Sequence, residues 1–137
     1  MSDNSFLSSV ILIYKGKVLL YSPDIDLSGV QKDNWSVIFI TKTNSDKLEE
    51  TISRKVKYVT QLTLNSIKPL VVDFQDKKRK PLYFQKLTDE HVNLIERREG
   101  QRLQFFTYNE LDKIDLGEQT SNLFEEYKTE VRDLLSL

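Results

Sequence analysis

Hydrophobic residues in this chain occur first in short unbroken runs and later at helical spacing. Residues 6–14 read FLSSVILIY and residues 17–22 read KVLLYS, both rich in branched and aromatic side chains. Such runs form strands, and the Lys15-Gly16 pair between them suits a tight reversal because glycine tolerates positive φ. The stretch PDIDLSGVQKDN carries turn chemistry throughout. WSVIFIT, residues 35–41, is almost continuously apolar, which predicts a strand covered on both faces.

Beyond Thr41 the period changes. Leu48, Ile52, Val56 and Val59 recur at spacings of four, four and three and trace one face of a helix. Ser45 or Asp46 can cap its start, with Glu49 three residues after Asp46, so the pattern predicts a helix over 46–60. LTLNSIKPLVVDF then predicts strand with a break near Pro69, QDKKRKP a charged hairpin tip, and LYFQKL and RLQFFTY two further strands. NELDKIDL predicts a helical turn. From Ser121, the residues Leu123, Phe124, Tyr127, Val131, Leu134 and Leu135 trace a second amphipathic helix over 121–135. The order β-β-β-α-β-β-β-α with two hairpins argues against an all-parallel sheet. A mixed sheet flanked by helices is expected, α+β in class, as an α/β/α sandwich.

The length of 137 residues fits one domain, expected over 1–137, with enough chain to bury a core without staples. The 20 basic and 21 acidic residues give a net charge of -1, so there is no global attraction to nucleic acid or anionic membrane. The absence of cysteine excludes disulfides, thiol catalysis and Cys-ligated zinc. A lone histidine, His91, excludes a multi-histidine metal site, so any metal would be a hard cation on carboxylates, Mg²⁺ or Mn²⁺. No basic segment precedes the first apolar run, and Val10–Tyr14 is too short to span a bilayer. A soluble, cytoplasmic protein without a membrane partner is expected. The basic run KKRK, residues 77–80, lacks interleaved aromatics and reads as a solvated hairpin edge rather than a nucleic-acid site.

The segment from Trp35 to Leu62 resembles the signature of the Nudix hydrolase superfamily, G-x5-E-x7-R-E-U-x-E-E-x-G-U, in which U is aliphatic. With the signature arginine on Arg54, Val56 and Leu62 meet the aliphatic positions and Asp46 stands at the first glutamate. Lys55, Tyr58 and Val59 occupy the remaining glutamate positions, and Ile40 and Gln61 the glycines. Trp35 stands five residues before Ile40, as the usual prelude to the signature does. The later segment EGQRLQFFTYNEL resembles the strand and helical turn that close the substrate side in some Nudix proteins.

The resemblance implies a Nudix-like fold in a single domain, and a family that cleaves diphosphate linkages with divalent cations held by helix glutamates. Residues at i, i+3 and i+4 share a helix face, and here that face would show Lys55, Tyr58 and Val59, none of them an anionic ligand. The leading expectation is therefore a degenerate, metal-free Nudix-like domain that binds a nucleotide or diphosphate-linked ligand through Arg54, Lys55, Tyr58 and Trp35, with no cofactor. An active phosphohydrolase with Mg²⁺ or Mn²⁺ relocated to Asp46, Glu50 and Glu99 is the first alternative. A protein-interaction scaffold with a filled cleft is the second. Each residue also has a plainer reading: Asp46 and Glu50 as a helix start and an i,i+4 pair, Glu99 and His91 as surface, Trp35, Phe105 and Phe106 as core. Composition leaves the oligomeric state open.

Overall fold

The computed structural model describes residues 8–22, 35–40, 48–64, 66–71, 82–95 and 102–135. Six strands form one sheet: β1 (Ser8–Tyr14), β2 (Lys17–Ser22), β3 (Ile38–Ile40), β4 (Lys68–Val71), β5 (Leu82–Lys86) and β6 (Arg102–Thr107). Their order is β4-β5-β1-β2-β6, with β3 also on β1. Among the described residues four helices accompany them: α1 (Leu48–Thr60), α2 (Asp89–Leu94), α3 (Glu118–Glu126) and α4 (Lys128–Leu135), with a 3-10 turn at Asn109–Lys113. The β1–β2, β1–β3, β2–β6 and β4–β5 ladders are antiparallel, and Trp35 and Leu116 add an isolated parallel bridge. The α+β class is as expected.

By contacts the chain divides into two compact units, Met1–Leu12 with Ile38–Glu96 and Ile13–Val37 with Arg97–Leu137. In the first, Ser8, Ser9 and Val10 pair with Ile40, Phe39 and Ile38, and α1 packs beside β3. Its core holds Val10, Ile11, Leu12, Ile38, Ile40, Ile52, Val56, Val59 and Leu82. Within the described part of the strand expected over 62–74, Lys68–Val71 is strand and Leu62 and Leu64 are buried in irregular chain, while residues 65 and 72–74 lie outside the described residues. Pro69 does not end β4. It sits within it as a register shift between Pro69 and Val71, tolerable because β4 is the terminal strand in the order and needs no N–H there.

Helix α2 is absent from the pattern-based expectation. It holds no buried residue, so there is no apolar stripe to read. Its start is set locally: the His91 N–H donates to Thr88 Oγ1, and the Thr88 N–H donates to His91 Nδ1, both at 3.1 Å. Histidine here fills the capping-box position more often held by Glu or Gln, while Asp89 and Glu90 suit the helix start electrostatically.

In the second unit, β1 and β2 meet at Lys15 (φ 49°) and Gly16 (φ 77°), with Tyr14 paired to Lys17. Two successive positive φ values are the requirement of a type I′ hairpin turn. A Cβ on Gly16 would lie 3.0 Å from the Leu135 carbonyl oxygen, so space as well as backbone angle favours glycine. The C-terminal helix starts earlier than 121 and divides at Tyr127 into α3 and α4. The reason for the earlier start is Thr120: it is buried, its Oγ1 accepts from the Val37 N–H at 3.3 Å and donates to Ser36 Oγ at 3.2 Å.

Among the described residues no helix is long and apolar enough to cross a membrane.

Candidate functional site

Helix α1 has two chemically opposed faces. Ile52, Val56 and Val59 are no more than 2% exposed and form the inner face. Thr51, Arg54, Lys55 and Tyr58, at i, i+3, i+4 and i+7, form the outer one and together line a shallow concavity of about 390 Å³. Arg54 is exposed, Tyr58 is 55% exposed, and the Lys55 ammonium lies 5.7 Å from the Tyr58 ring centroid. That is within cation–π range. Thr51 joins the set unannounced by the sequence reading, although its place three residues before Arg54 was available in the helical spacing.

The face expected to show Lys55, Tyr58 and Val59 together is therefore split. Val59 turns inward, because a helix advances 100° per residue and the apolar stripe claims that position. A divalent cation does not fit this donor set. Lys55 is cationic, Tyr58 presents a phenol, and Val59 is an alkyl group in the core.

The two signature glycine positions behave differently. Gln61 has φ 69°, a left-handed conformation that a Cβ disfavours, and its N–H donates to the Lys57 carbonyl at 2.8 Å. Next to it, Thr60 Oγ1 donates to the Val56 carbonyl at 2.8 Å and accepts from the Leu62 N–H at 3.1 Å. The helix thus ends with the backbone that glycine commonly supplies, imposed on a glutamine. Ile40 is an ordinary residue of β3, paired with Ser8 and 2% exposed, outside the positive-φ region.

Of the remaining candidates, Asp46 and Glu99 lie outside the described residues, as do KKRK and the expected cap of α1. Glu50 is exposed on α1. Among the described residues, no group of three His, Asp or Glu is placed to hold a metal. His91 is on α2, with Nδ1 engaged by its own cap.

Trp35 belongs to the second unit and is 9% exposed. Phe106 meets its ring edge-on at 5.0 Å, and the Arg102 guanidinium lies 4.9 Å from its centroid. Arg102 Nη2 also donates to Ser22 Oγ at 3.4 Å. Two side chains of β6 thus contact the indole, and the Trp35 backbone is tied to Asp115 and Gly117. Core packing, the plainer of the two readings of Trp35, accounts for these contacts. A further concavity of about 310 Å³ in this unit is lined by Tyr108, Leu111 and Phe124, with Asp112 and Glu125 balancing Lys128 and Arg132. Glu110, at the 3-10 turn, accepts from the Thr107 N–H at 2.8 Å and its hydroxyl at 3.1 Å, which holds its pKa below the ordinary value.

Searches with family profiles and against curated proteins find no match to this sequence. Solved structures do match. A mutT/nudix family protein from Listeria innocua superposes with a TM-score of 0.65 at 13% identity, over 100% of both chains. MutT of Aliivibrio salmonicida or Vibrio cholerae gives 0.61 at 14% identity, over 93% of this chain and 95% of that one. The NUDIX domain of Shewanella oneidensis NrtR, solved in complex with ADP ribose, gives 0.55 at 16% identity over 88% and 84%. The chain has the Nudix fold, and the expected architecture is thereby established.

Proposed function

We propose that this chain is a binding module on the Nudix fold, which takes a nucleotide or nucleoside-diphosphate-linked anion without a divalent cation and lacks metal-dependent diphosphate hydrolysis. The observation that carries this reading is the outer face of α1. Thr51, Arg54, Lys55 and Tyr58 share one concavity, with two cations and a hydroxyl beside an exposed aromatic ring. Arginine and lysine bind phosphate oxygens directly by charge-assisted hydrogen bonds. A cation where the signature has a carboxylate reverses the charge of the site, so that it attracts the phosphates themselves rather than a metal that would bridge them. The ADP ribose held by the NrtR domain supplies the first ligand to test.

The test is titration calorimetry with ADP ribose, with and without Mg²⁺, alongside an assay of phosphate or nucleoside monophosphate release. Metal-independent binding without release is expected, weakened about tenfold or more by Lys55→Glu, the loss of one charge-assisted contact plus repulsion. Mg²⁺- or Mn²⁺-dependent release that disappears in Glu50→Ala would instead establish the relocated site at Asp46, Glu50 and Glu99. Absence of binding across nucleotides and diphosphate sugars would leave the interaction scaffold as the reading.

A further inference from the structure

A second concavity, of about 370 Å³, lies in the first unit beside the β4–β5 ladder and is lined by Ser66, Lys68, Phe84, Gln85, Lys86, Thr88 and His91. Its residues are brought together by register. Lys68 is directly opposite Phe84, and Lys86 is two positions further along β5, so all three side chains project from one face. Diagonal neighbours of this kind lie about 7–8 Å apart between Cα atoms, close enough for two ammonium groups to repel. Among the described residues that line the concavity there is no carboxylate. The cavity of the second unit differs in this respect, since there acids balance the bases.

The remaining polar groups include hydrogen-bond donors. His91 Nδ1 accepts the Thr88 N–H, which leaves Nε2 as the N–H donor of the ring. Ser66 and Thr88 bring hydroxyls, and the Ser66 backbone is anchored by its N–H donating to Gln85 Oε1 at 3.2 Å. Phe84, half-buried between the two lysines, supplies an apolar floor. A volume of this size falls in the range of small-molecule pockets.

We infer that the Ser66/Lys68/Phe84/Lys86/Thr88/His91 concavity is an anion site, distinct in its residues from the α1 face, that takes a small phosphomonoester with an aromatic body. The phosphate sits between the ammonium groups and relieves their repulsion, with the hydroxyls and the His91 N–H as further donors. The aromatic body lies on Phe84.

Nitrogen-15 amide NMR of the full chain, titrated at constant ionic strength with phenyl phosphate and, separately, with inorganic phosphate, tests this. Saturable shifts are expected at Ser66, Lys86, Thr88 and His91, with phenyl phosphate binding more tightly than inorganic phosphate. Lys68→Gln with Lys86→Gln should weaken phenyl phosphate binding about tenfold or more, because two charge-assisted contacts are lost. Both lysines are exposed, so the variant should keep wild-type shifts elsewhere, and each single substitution serves if the pair does not. Lys55→Glu should leave this titration unchanged, which separates it from the α1 reading. Shifts confined to Thr51–Tyr58, shifts that never saturate, or a double variant that binds as well as wild type would each overturn the site. Equal affinity for inorganic phosphate would overturn the aromatic body.

Discussion

The two faces of α1 are built from the same thirteen residues and obey different constraints. On the inner face, Ile52, Val56 and Val59 fill space against the sheet, where volume and polarity are fixed by close packing. On the outer face, Thr51, Arg54, Lys55 and Tyr58 meet solvent, and almost any helix-compatible residue would fold. The contrast teaches how a Nudix fold can survive at 11–16% identity to its structural neighbours. The fold resides in the inner pattern, and the outer one can change without it.

The strongest way to break that comparison is to put the same charge on each face. Val59→Glu buries a carboxylate in the core and is expected to cost roughly 4 kcal/mol or more, from the several-unit pKa rise that full burial imposes. Tyr58→Glu, one residue earlier, should change stability by less than about 0.5 kcal/mol. Urea denaturation of the two variants measures both, and similar losses would show that the faces are not distinct. Rebuilding the signature acids at Lys55, Tyr58 and Val59 is therefore expected to fail through folding at Val59, before any metal is offered.

A sharper version restores glycine at each of its two signature positions. Ile40→Gly removes a buried strand side chain and should destabilise by about 3 kcal/mol or more. Gln61→Gly relieves a left-handed residue at an exposed helix end and should stabilise by about 0.5–1 kcal/mol, after the added freedom of the unfolded chain is subtracted. Opposite signs in thermal melts are the expected result. Destabilisation at Gln61 would mean that its side chain, whose Nε2 donates to the Tyr58 carbonyl at 3.5 Å, matters more than its backbone.

The smallest effect lies away from α1. The Thr107 donors favour charged Glu110, so its folded pKa is lower than its unfolded one. That contribution is present above the unfolded pKa and is lost as pH falls through the lowered folded value. Glu110→Gln should therefore lower the melting temperature slightly near neutral pH, with the difference vanishing in acid. A gap that widens in acid would reverse the assignment. Because Glu110 is exposed, the effect should be small beside those on α1.

The sequence by itself determined the alternation of elements, the Lys15-Gly16 hairpin, the apolar stripe of α1 and the class of the fold. These follow from local rules: period, turn chemistry and composition act within a few residues of one another. It also singled out Arg54, Lys55 and Tyr58 as neighbours, because helical spacing is itself local. Only the tertiary structure decided the rest. It turned Val59 away from Lys55 and Tyr58, since two patterns compete for one position and core packing wins. It set Trp35 against Arg102 and Phe106, residues about seventy positions away. It raised α2 from a segment with no apolar stripe, and it began α3 early so that buried Thr120 could meet Ser36 and Val37. The Lys68/Phe84/Lys86 cluster was equally invisible, because its three members are collected by strand register. A linear pattern records what each residue prefers, whereas register and burial are set by partners distant in the chain.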